Sequence, residues 1–214
     1  MIIRTAFAWL AAATLGLALP AGALAAAGPQ HQEKVVFAGG CFWGVEGVFE
    51  SLKGVSTAVS GYSGGSKSTA HYEIVSTGTT GHAESVEVTY DAAQISFEDL
   101  LRVFFLVAHD PTELNRQGPD EGTQYRSEIF YTTEAQHRAV DAYIKQLAAS
   151  KTYRDPIVTK VEPLRGFYAA EDYHQHFMQK NPSYPYIVYN DRPKLEALHK
   201  TFPALLKPAS LGKS

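Results

Sequence analysis

A strand, a glycine pair and a helix that meet at the chain's single cysteine set the first constraint on the fold. Residues 33–38 contain a short continuous apolar run, typical of a buried strand, which Gly39-Gly40 closes. Residues 42–52 follow as a predicted helix, so Cys41 falls at a helix N-terminus. Unpaired N–H groups and the helix dipole favour an anion there, which predicts a reactive thiolate with a lowered pKa.

The first 25 residues have the composition of a secretory signal peptide. A basic start at Arg4 leads into an apolar stretch over residues 5–19, and Ala23-Leu24-Ala25 fits the small-residue rule for cleavage. Ala25-Ala26-Ala27 offers a second cleavage point. The apolar stretch is too short to cross a bilayer comfortably. We therefore expect cleavage and export, most simply into a bacterial periplasm, with no membrane association afterwards.

The composition of the rest predicts one domain with a free thiol. The 214 residues carry a formal net charge of −3, and the scattered Lys and Arg form no basic stripe that would bind nucleic acid. We expect a monomeric domain over residues 26–202 and a loose tail over residues 203–214. An exported protein normally pairs its cysteines, so a lone Cys41 is more suited to reaction than to bracing the fold.

Strand and helix patterns alternate along the chain without an internal repeat. The predicted strands after the first are 54–62, 71–76, 83–90, 127–131 and 159–163, with helices from residue 96 to the Asp110-Pro111 stop, over 133–150 and over 169–180. This mixture predicts an α/β (α+β) domain, a two-layer sandwich of a mixed sheet with packed helices.

Glu84 stands out because of its place in an alternating strand. Side chains of a strand alternate between two faces, so Glu84 shares a face with Val86, Val88 and Tyr90, the apolar one. A carboxyl on that face is desolvated, its pKa rises, and it can act as a general acid near neutral pH. As the first polar residue of the strand, Glu84 has an alternative role: it reaches solvent or caps the loop at Gly81.

Aromatic and polar residues near these two groups allow functional and structural interpretations. Phe42 and Trp43, next to the thiol, suit either an ordinary core or a shallow apolar pocket for a methyl or thioether group. The polar segment 120–127 is either a solvated turn or a loop that presents the Tyr125 hydroxyl and the Asp120 carboxylate to a pocket.

Two other functions compete at this stage. A Cys–His hydrolase would pair Cys41 with a histidine, and sequence spacing selects none of the candidates. These candidates are His71, His82, His109 and His174. The second competing function is a non-catalytic module that only binds methionine-containing peptides. We expect no metal site, because His174 and His176 do not share a helix face and one cysteine makes no paired-cysteine motif.

A series of motifs, in order between residues 34 and 200, resembles the A-type peptide methionine sulfoxide reductases. The motifs are Gly40-Cys41-Phe42-Trp43-Gly44, Gly61-Tyr62-Ser63-Gly64-Gly65, Thr80-Gly81-His82-Ala83-Glu84, His109-Asp110-Pro111, Gly122-Thr123-Gln124-Tyr125-Arg126-Ser127, Ala170-Glu171-Asp172-Tyr173-His174-Gln175, and Asn181-Pro182 with Pro185-Tyr186. The resemblance implies a two-layer α/β fold and the reduction of methionine S-sulfoxide, protein-bound and free.

The resemblance also implies roles for particular residues. Cys41 corresponds to the nucleophile and Glu84 to the acid, while Phe42 and Trp43 correspond to the wall that holds the substrate methyl group. The residues that correspond to the surroundings of the sulfoxide oxygen, with a supporting carboxylate, are Tyr72, Tyr125, Tyr186 and Asp120.

One position departs from the family's pattern. Many members carry a resolving cysteine near the C-terminus, often directly after the position of Tyr186, where this chain has Ile187. The resemblance then implies a one-cysteine enzyme without a bound cofactor. Its Cys41 sulfenic acid would be reduced by an external thiol, from a thioredoxin-like or glutaredoxin-like protein or a small molecule.

Overall fold

A mixed β-sheet forms the centre of the structure, a computed structural model that describes residues 31–208. The signal-peptide prediction for residues 1–25 and the end of the chain from residue 209 lie outside the described residues. The strands are β1 Gln32–Gly39, β2 Val55–Ser63, β3 Ala83–Asp91, β4 Arg116–Gln117, β5 Asp120–Glu121, β6 Ser127–Tyr131, β7 Lys160–Pro163 and β8 Phe167–Ala169.

The main sheet has the strand order β7-β6-β1-β3-β2-β8, and β4 pairs with β5 separately. Neighbours in the main sheet are antiparallel except β6 and β7, which run parallel. The predicted strand at 159–163 is therefore an edge strand, as expected. The predicted class, a mixed sheet in a single α/β domain, is confirmed.

Helices cover one face of this sheet. They are α1 Phe42–Glu50, α2 Tyr72–Val75, α3 Phe97–Val103, α4 Glu134–Ser150, α5 Phe177–Lys180 and α6 Arg192–Thr201, with π-helical turns at Phe104–Ala108 and Ile187–Asp191 and 3₁₀ turns at Lys67–Thr69, Thr123–Tyr125 and Pro203–Leu205. Helices α3 and α4 start where the sequence predicts, because Ser96 and Thr133 accept hydrogen bonds from main-chain N–H groups three residues on. No helix in residues 31–208 combines the length and the hydropathy that a membrane crossing requires.

Strand β1 contributes side chains to two hydrophobic clusters, one on each face of the sheet. Val35 and Phe37 point into the main hydrophobic core, whereas Val36 and Ala38 belong to a small cluster on the other face. The Phe37 ring stacks on Phe49 of α1 and on Phe104, with centroids 4.7 Å apart in both pairs. Large apolar side chains thus fix α1 against the sheet, and with it the position of Cys41.

The segment 71–76 is a helical turn, so the strand predicted there is wrong. Adjacent Ile74 and Val75 suggest a strand by propensity. Their N–H groups instead donate to the His71 carbonyl, both at 2.9 Å, and the Tyr72 N–H donates to the Glu171 carboxylate at 3.0 Å. Tertiary hydrogen bonding outweighs the propensity of so short a segment.

The helix predicted over 169–180 is also wrong for most of its length. Strand β8 occupies its first residue, and regular helix is confined to α5. The Gln175 side chain explains the irregular stretch between them, because its amide bonds both main-chain groups of Ser60 and the Ala170 carbonyl at 2.9–3.1 Å. Helix α6 then follows, a helix that the sequence interpretation missed.

The start of the predicted loose tail is packed on the domain. Leu206 is fully buried and forms an isolated β-bridge with Leu52. Lys53 donates its N–H to the Leu205 carbonyl at 2.8 Å. Residues 203–207 therefore complete the core next to the C-terminal end of α1, and the expected loose tail does not begin at residue 203.

Candidate active site

Cys41 lies at the junction of β1 and α1, as the sequence predicts. Gly40 has φ +86°, a left-handed conformation that favours glycine, and a Cβ atom there would lie 2.5 Å from Gln117. Cys41 is the N-cap of α1 and is 8% exposed. A sharp turn that only glycine allows therefore places the sulfur at the start of the helix, just accessible from outside.

Glu84 is buried beside the start of the same helix. Its side chain is on the core face of β3, 3% exposed, and its Oε2 accepts a hydrogen bond from the Phe42 N–H at 3.1 Å. Burial raises the pKa of Glu84 from its ordinary 4.5 to about 8, against a lowering contribution from the Phe42 N–H. The alternative that Glu84 reaches solvent is thereby excluded, and the carboxyl holds its proton at neutral pH.

All the predicted site residues line one small pocket, of about 190 Å³. Its lining consists of Cys41, Phe42, Trp43, Tyr72, Glu84, Asp120, Tyr125, Tyr184 and Tyr186. Tyr184 is the addition that the sequence interpretation missed, although it lies in the same Pro-Tyr-rich stretch as Tyr186. The fold thus brings together residues from β1–α1, α2, β3, β5 and the C-terminal segment, as the motif resemblance implies.

Trp43 forms the apolar wall of this pocket. Its indole stacks on Phe177 at 3.8 Å between centroids and meets Tyr184 and Tyr186 edge to face at 6.2 and 5.9 Å. Its Nε1–H donates to His174 Nδ1 at 3.1 Å, which fixes the ring's orientation. The two aromatics after the cysteine therefore have different environments: Phe42 is buried in the core, and Trp43 is partly exposed to the pocket.

Phenolic hydroxyls supply the polar side of the pocket. The Tyr186 hydroxyl donates a hydrogen bond to Asp120. Burial raises the pKa of Tyr72, Tyr125 and Tyr186, so all three keep their protons and remain hydrogen-bond donors. Burial also raises the pKa of Asp120, whereas the Tyr186 hydroxyl lowers it. The pocket therefore offers several neutral donors close to the thiol.

The expected lowering of the Cys41 pKa is wrong for the resting structure. Burial raises the pKa of Cys41 well above its usual value. Glu84 raises it further once that carboxyl is ionised, and so does the Asp191 carboxylate. The Trp43 N–H at the start of α1 and the Lys194 ammonium act in the opposite direction. The helix N-terminus thus favours the thiolate as predicted, but desolvation and neighbouring negative charge outweigh it.

Asp191 and Lys194, which the sequence interpretation missed, form a charged pair against the first turn of α1. The ammonium donates to Asp191 Oδ1 at 3.1 Å, and the Asp191 side chain is fully buried. A Cβ atom on Gly44 would lie 2.1 Å from Asp191 Oδ1 and 2.8 Å from Lys194 Nζ. Only glycine at position 44 leaves room for this charged pair. The glycine that ends the motif Gly40–Gly44 was therefore a sequence signal for a close contact at this point.

No histidine in the described part of the chain lines the pocket or hydrogen-bonds the thiol. His82 and His109 are buried and bond main-chain groups or Ser127 instead. His174 orients Trp43. Within residues 31–208, the group of side chains with metal-ligand spacing lies outside this pocket. The arrangement does not support a Cys–His hydrolase.

Fold and site together define a cysteine-dependent enzyme. Its thiol faces an acid that is protonated at neutral pH, several phenol donors and an aromatic wall. Such a pocket suits a small substrate group with a hydrogen-bond acceptor next to an apolar part.

Comparison with known proteins makes the assignment specific. Residues 33–205 match the family model of peptide methionine sulfoxide reductase. The peptide methionine sulfoxide reductase MsrA 2 of Mesorhizobium japonicum is 59% identical over 173 residues, 81% of this chain and 89% of that protein. The MsrA 2 of Synechocystis is 52% identical over 178 residues, which is 83% of each chain.

Solved structures agree with the sequence relatives. The reduced form of Mxr1 from Saccharomyces cerevisiae superposes with a TM-score of 0.66 at 33% identity, covering 73% of this chain and 89% of that one. Methionine sulfoxide reductase A of Corynebacterium diphtheriae gives 0.62 at 38% identity, covering 72% and 77%. The chain belongs to the peptide methionine sulfoxide reductase family, type A, whose oxidoreductase activity is the reduction of methionine sulfoxide.

Replacing Glu84 by glutamine should stabilise the protein increasingly as pH rises. The unfolded carboxyl loses its proton near pH 4.5 and the folded one near 8, so wild-type stability falls across that window. The loss is on the order of 5 kcal/mol, and the uncharged amide of the variant avoids it. Urea unfolding at pH 5 and pH 9 measures the difference between variant and wild type.

The matched control is Glu87→Gln in the same strand, whose carboxylate instead pairs with Lys34 at the surface, at 2.7 Å. This change should not stabilise the protein at pH 9. A Glu84→Gln variant whose advantage is the same at pH 5 and pH 9 would contradict the buried, protonated carboxyl.

Replacing Lys194 by methionine should raise the thiol pKa of Cys41, because it removes the positive charge that favours the thiolate and leaves Asp191 unpaired. Asp191→Asn should lower that pKa. The rate of Cys41 alkylation by iodoacetamide as a function of pH measures both shifts. Lys200→Met, an exposed lysine on the same helix, is the control and should change nothing. Equal effects of the two lysine variants would contradict a specific role for Lys194.

Proposed function

We propose that the protein reduces the S epimer of methionine sulfoxide, in oxidised proteins and peptides and as the free amino acid, with Cys41 as nucleophile and Glu84 as acid. The observation that carries the proposal is the shared pocket of about 190 Å³, in which the thiol, the protonated carboxyl and the phenols converge beside Trp43.

The pocket suits both halves of the substrate group. A methyl–sulfoxide has an apolar methyl and a strongly accepting oxygen. The Trp43 indole offers a flat apolar surface, held by Phe177 and by the hydrogen bond to His174. The neutral Tyr72 and Tyr125 hydroxyls and the Glu84 carboxyl line the same pocket and offer donors for the oxygen. This division supports a substrate bound with its methyl against the indole.

The net result of the proposed chemistry is the transfer of one oxygen atom. The Cys41 sulfur attacks the sulfoxide sulfur while Glu84 gives its proton to the sulfoxide oxygen, which makes that oxygen a better leaving group. Glu84 recovers the proton that the thiol gives up. Glu84 protonates the same oxygen again, and the sulfur–oxygen bond breaks with loss of water, which leaves the two sulfurs joined. Water then adds to the Cys41 sulfur and returns its proton to Glu84. The sulfur–sulfur bond breaks, and methionine leaves, reduced by two electrons. Cys41 is oxidised by two electrons to the sulfenic acid, so atoms and charge balance.

An outside thiol must then regenerate the enzyme, because the sequence contains no second cysteine. Attack of the first thiol on the sulfenic acid releases water and forms a mixed disulfide with Cys41. A second thiol breaks that disulfide and leaves Cys41 reduced. A thioredoxin-like or glutaredoxin-like dithiol protein supplies both thiols from one molecule, and a small thiol supplies them from two.

The compartment proposed for this reaction is the bacterial periplasm. The support is the basic start, apolar stretch and small-residue cleavage point within residues 1–25. Mass spectrometry of the protein from a periplasmic extract should show a chain that begins at residue 26 or 28. An uncleaved chain found only in the cytoplasm would contradict export.

Turnover of a methionine sulfoxide peptide with dithiothreitol tests the proposed roles. We expect Cys41→Ser to lose activity completely, because no other thiol can take the oxygen. Glu84→Gln should lose roughly 100- to 10,000-fold, the usual contribution of a positioned acid. The R epimer, measured in parallel, should react far more slowly than the S epimer. Methionine release is followed by chromatography.

The competing functions give different outcomes in the same experiment. A hydrolase predicts that a histidine change such as His174→Gln abolishes activity while Glu84→Gln does not. A binding module predicts that Cys41→Ser binds the peptide and that no thiol supports turnover. Glu87→Gln is the matched surface control and should retain wild-type activity.

A further inference from the structure

A second cluster of chemically capable side chains lies at the other end of α1, outside the active-site pocket. Glu46 and Glu50 are four residues apart and therefore share one face of the helix. His176, from the segment before α5, packs against both. One nitrogen or oxygen ligand atom from each of the three residues lies within 4.8 Å of the others.

Glu46 is the unusual member of this cluster. It is 1% exposed, and its Oε2 accepts the His176 main-chain N–H at 2.9 Å. Its Oε1 is buried without a hydrogen-bond partner and lies 4.0 Å from His176 Nδ1. Burial raises the pKa of this carboxyl, and the nearby Ser60 hydroxyl is among the groups that lower it. A buried carboxylate oxygen in this state normally has a paired charge or a metal ion.

The other two groups are oriented towards the same point. His176 has φ +56°, an uncommon conformation for a residue other than glycine, and its ring Nδ1 contacts Glu50 Oε1. Gln179 donates to the remaining Glu50 oxygen at 2.7 Å, which holds that carboxylate in place. Glu50, His176 and Gln179 also line a groove of about 600 Å³, so an ion can reach the cluster from solvent.

We propose that Glu46, Glu50 and His176 form a binding site for a divalent transition-metal ion, with Zn²⁺ the best fit. An imidazole nitrogen with two carboxylate oxygens is a donor set that zinc accepts, and water can complete a tetrahedron. Magnesium, which prefers an all-oxygen octahedron, fits this set poorly.

The position of the site gives it a structural consequence. Cys41 caps one end of α1, and the two glutamates lie towards its other end. His176 lies two residues after His174, the residue that orients Trp43. A bound ion would therefore join the helix that carries the nucleophile to the segment that supports the aromatic wall. It would stabilise the folded protein, because it binds the folded chain only.

Zinc titration of the tag-free full chain in the Cys41→Ser background, followed by calorimetry and thermal unfolding, tests the proposal without interference from the thiol. We expect one equivalent of Zn²⁺ to bind and to raise the melting temperature. His176→Gln and Glu50→Gln should each weaken binding roughly tenfold or more, as loss of even an outer partner does. Both side chains reach the groove, so these variants should fold even where a change at the buried Glu46 does not.

His137→Gln is the matched control. His137 also lies beside two carboxylates, Glu134 at 3.4 Å and Asp141 at 3.7 Å, but on the exposed surface of α4. This variant should bind Zn²⁺ as the parent does. Absence of stoichiometric binding, binding unaffected by His176→Gln and Glu50→Gln, or equal affinity for Mg²⁺ would each overturn the proposal.

Discussion

The hydrogen bond from the Phe42 N–H to the Glu84 carboxyl, at 3.1 Å, is the contact on which the active site depends. It joins the start of α1 to the start of β3 and places the acid next to Cys41. The antiparallel pairing of β1 with β3 brings these two starts together. Burial keeps Glu84 protonated although the Phe42 N–H lowers its pKa, and this burial costs stability as the pH rises.

Burial and nearby charge keep the Cys41 thiol in its protonated, less reactive form before substrate binds. Burial and the Asp191 carboxylate disfavour the Cys41 thiolate, whereas the Lys194 ammonium favours it. A thiol with a raised pKa is mostly uncharged at neutral pH and resists indiscriminate oxidation. In the proposed reaction, substrate changes this balance, because the sulfoxide oxygen would take the Glu84 proton as the thiol gives up its own. Activation would then be coupled to the presence of the oxygen acceptor.

The sequence predicts the parts of the site that local pattern determines. The glycine pair and the following helix place Cys41, and the alternation of β3 places Glu84 on the core face. The raised thiol pKa was not predictable, because the burial that raises it and the Asp191 carboxylate that adds to it both depend on distant parts of the chain that pack around Cys41. The helix predicted over 169–180 was wrong for a similar reason, because long-range side-chain hydrogen bonds override its helical pattern. Tyr184 lines the pocket through long-range packing against Trp43 and Phe177, which the local sequence pattern does not reveal.

Cys41 alone should take up the whole two-electron oxidation, and a single-turnover measurement tests this. Reduced enzyme is mixed with excess methionine S-sulfoxide peptide in the absence of any reductant, then quenched and analysed for methionine and by mass spectrometry. We expect one methionine per enzyme and one oxygen added at Cys41, which disappears on addition of a thiol. Methionine formed while Cys41 stays unmodified, or formed beyond one equivalent, would contradict it.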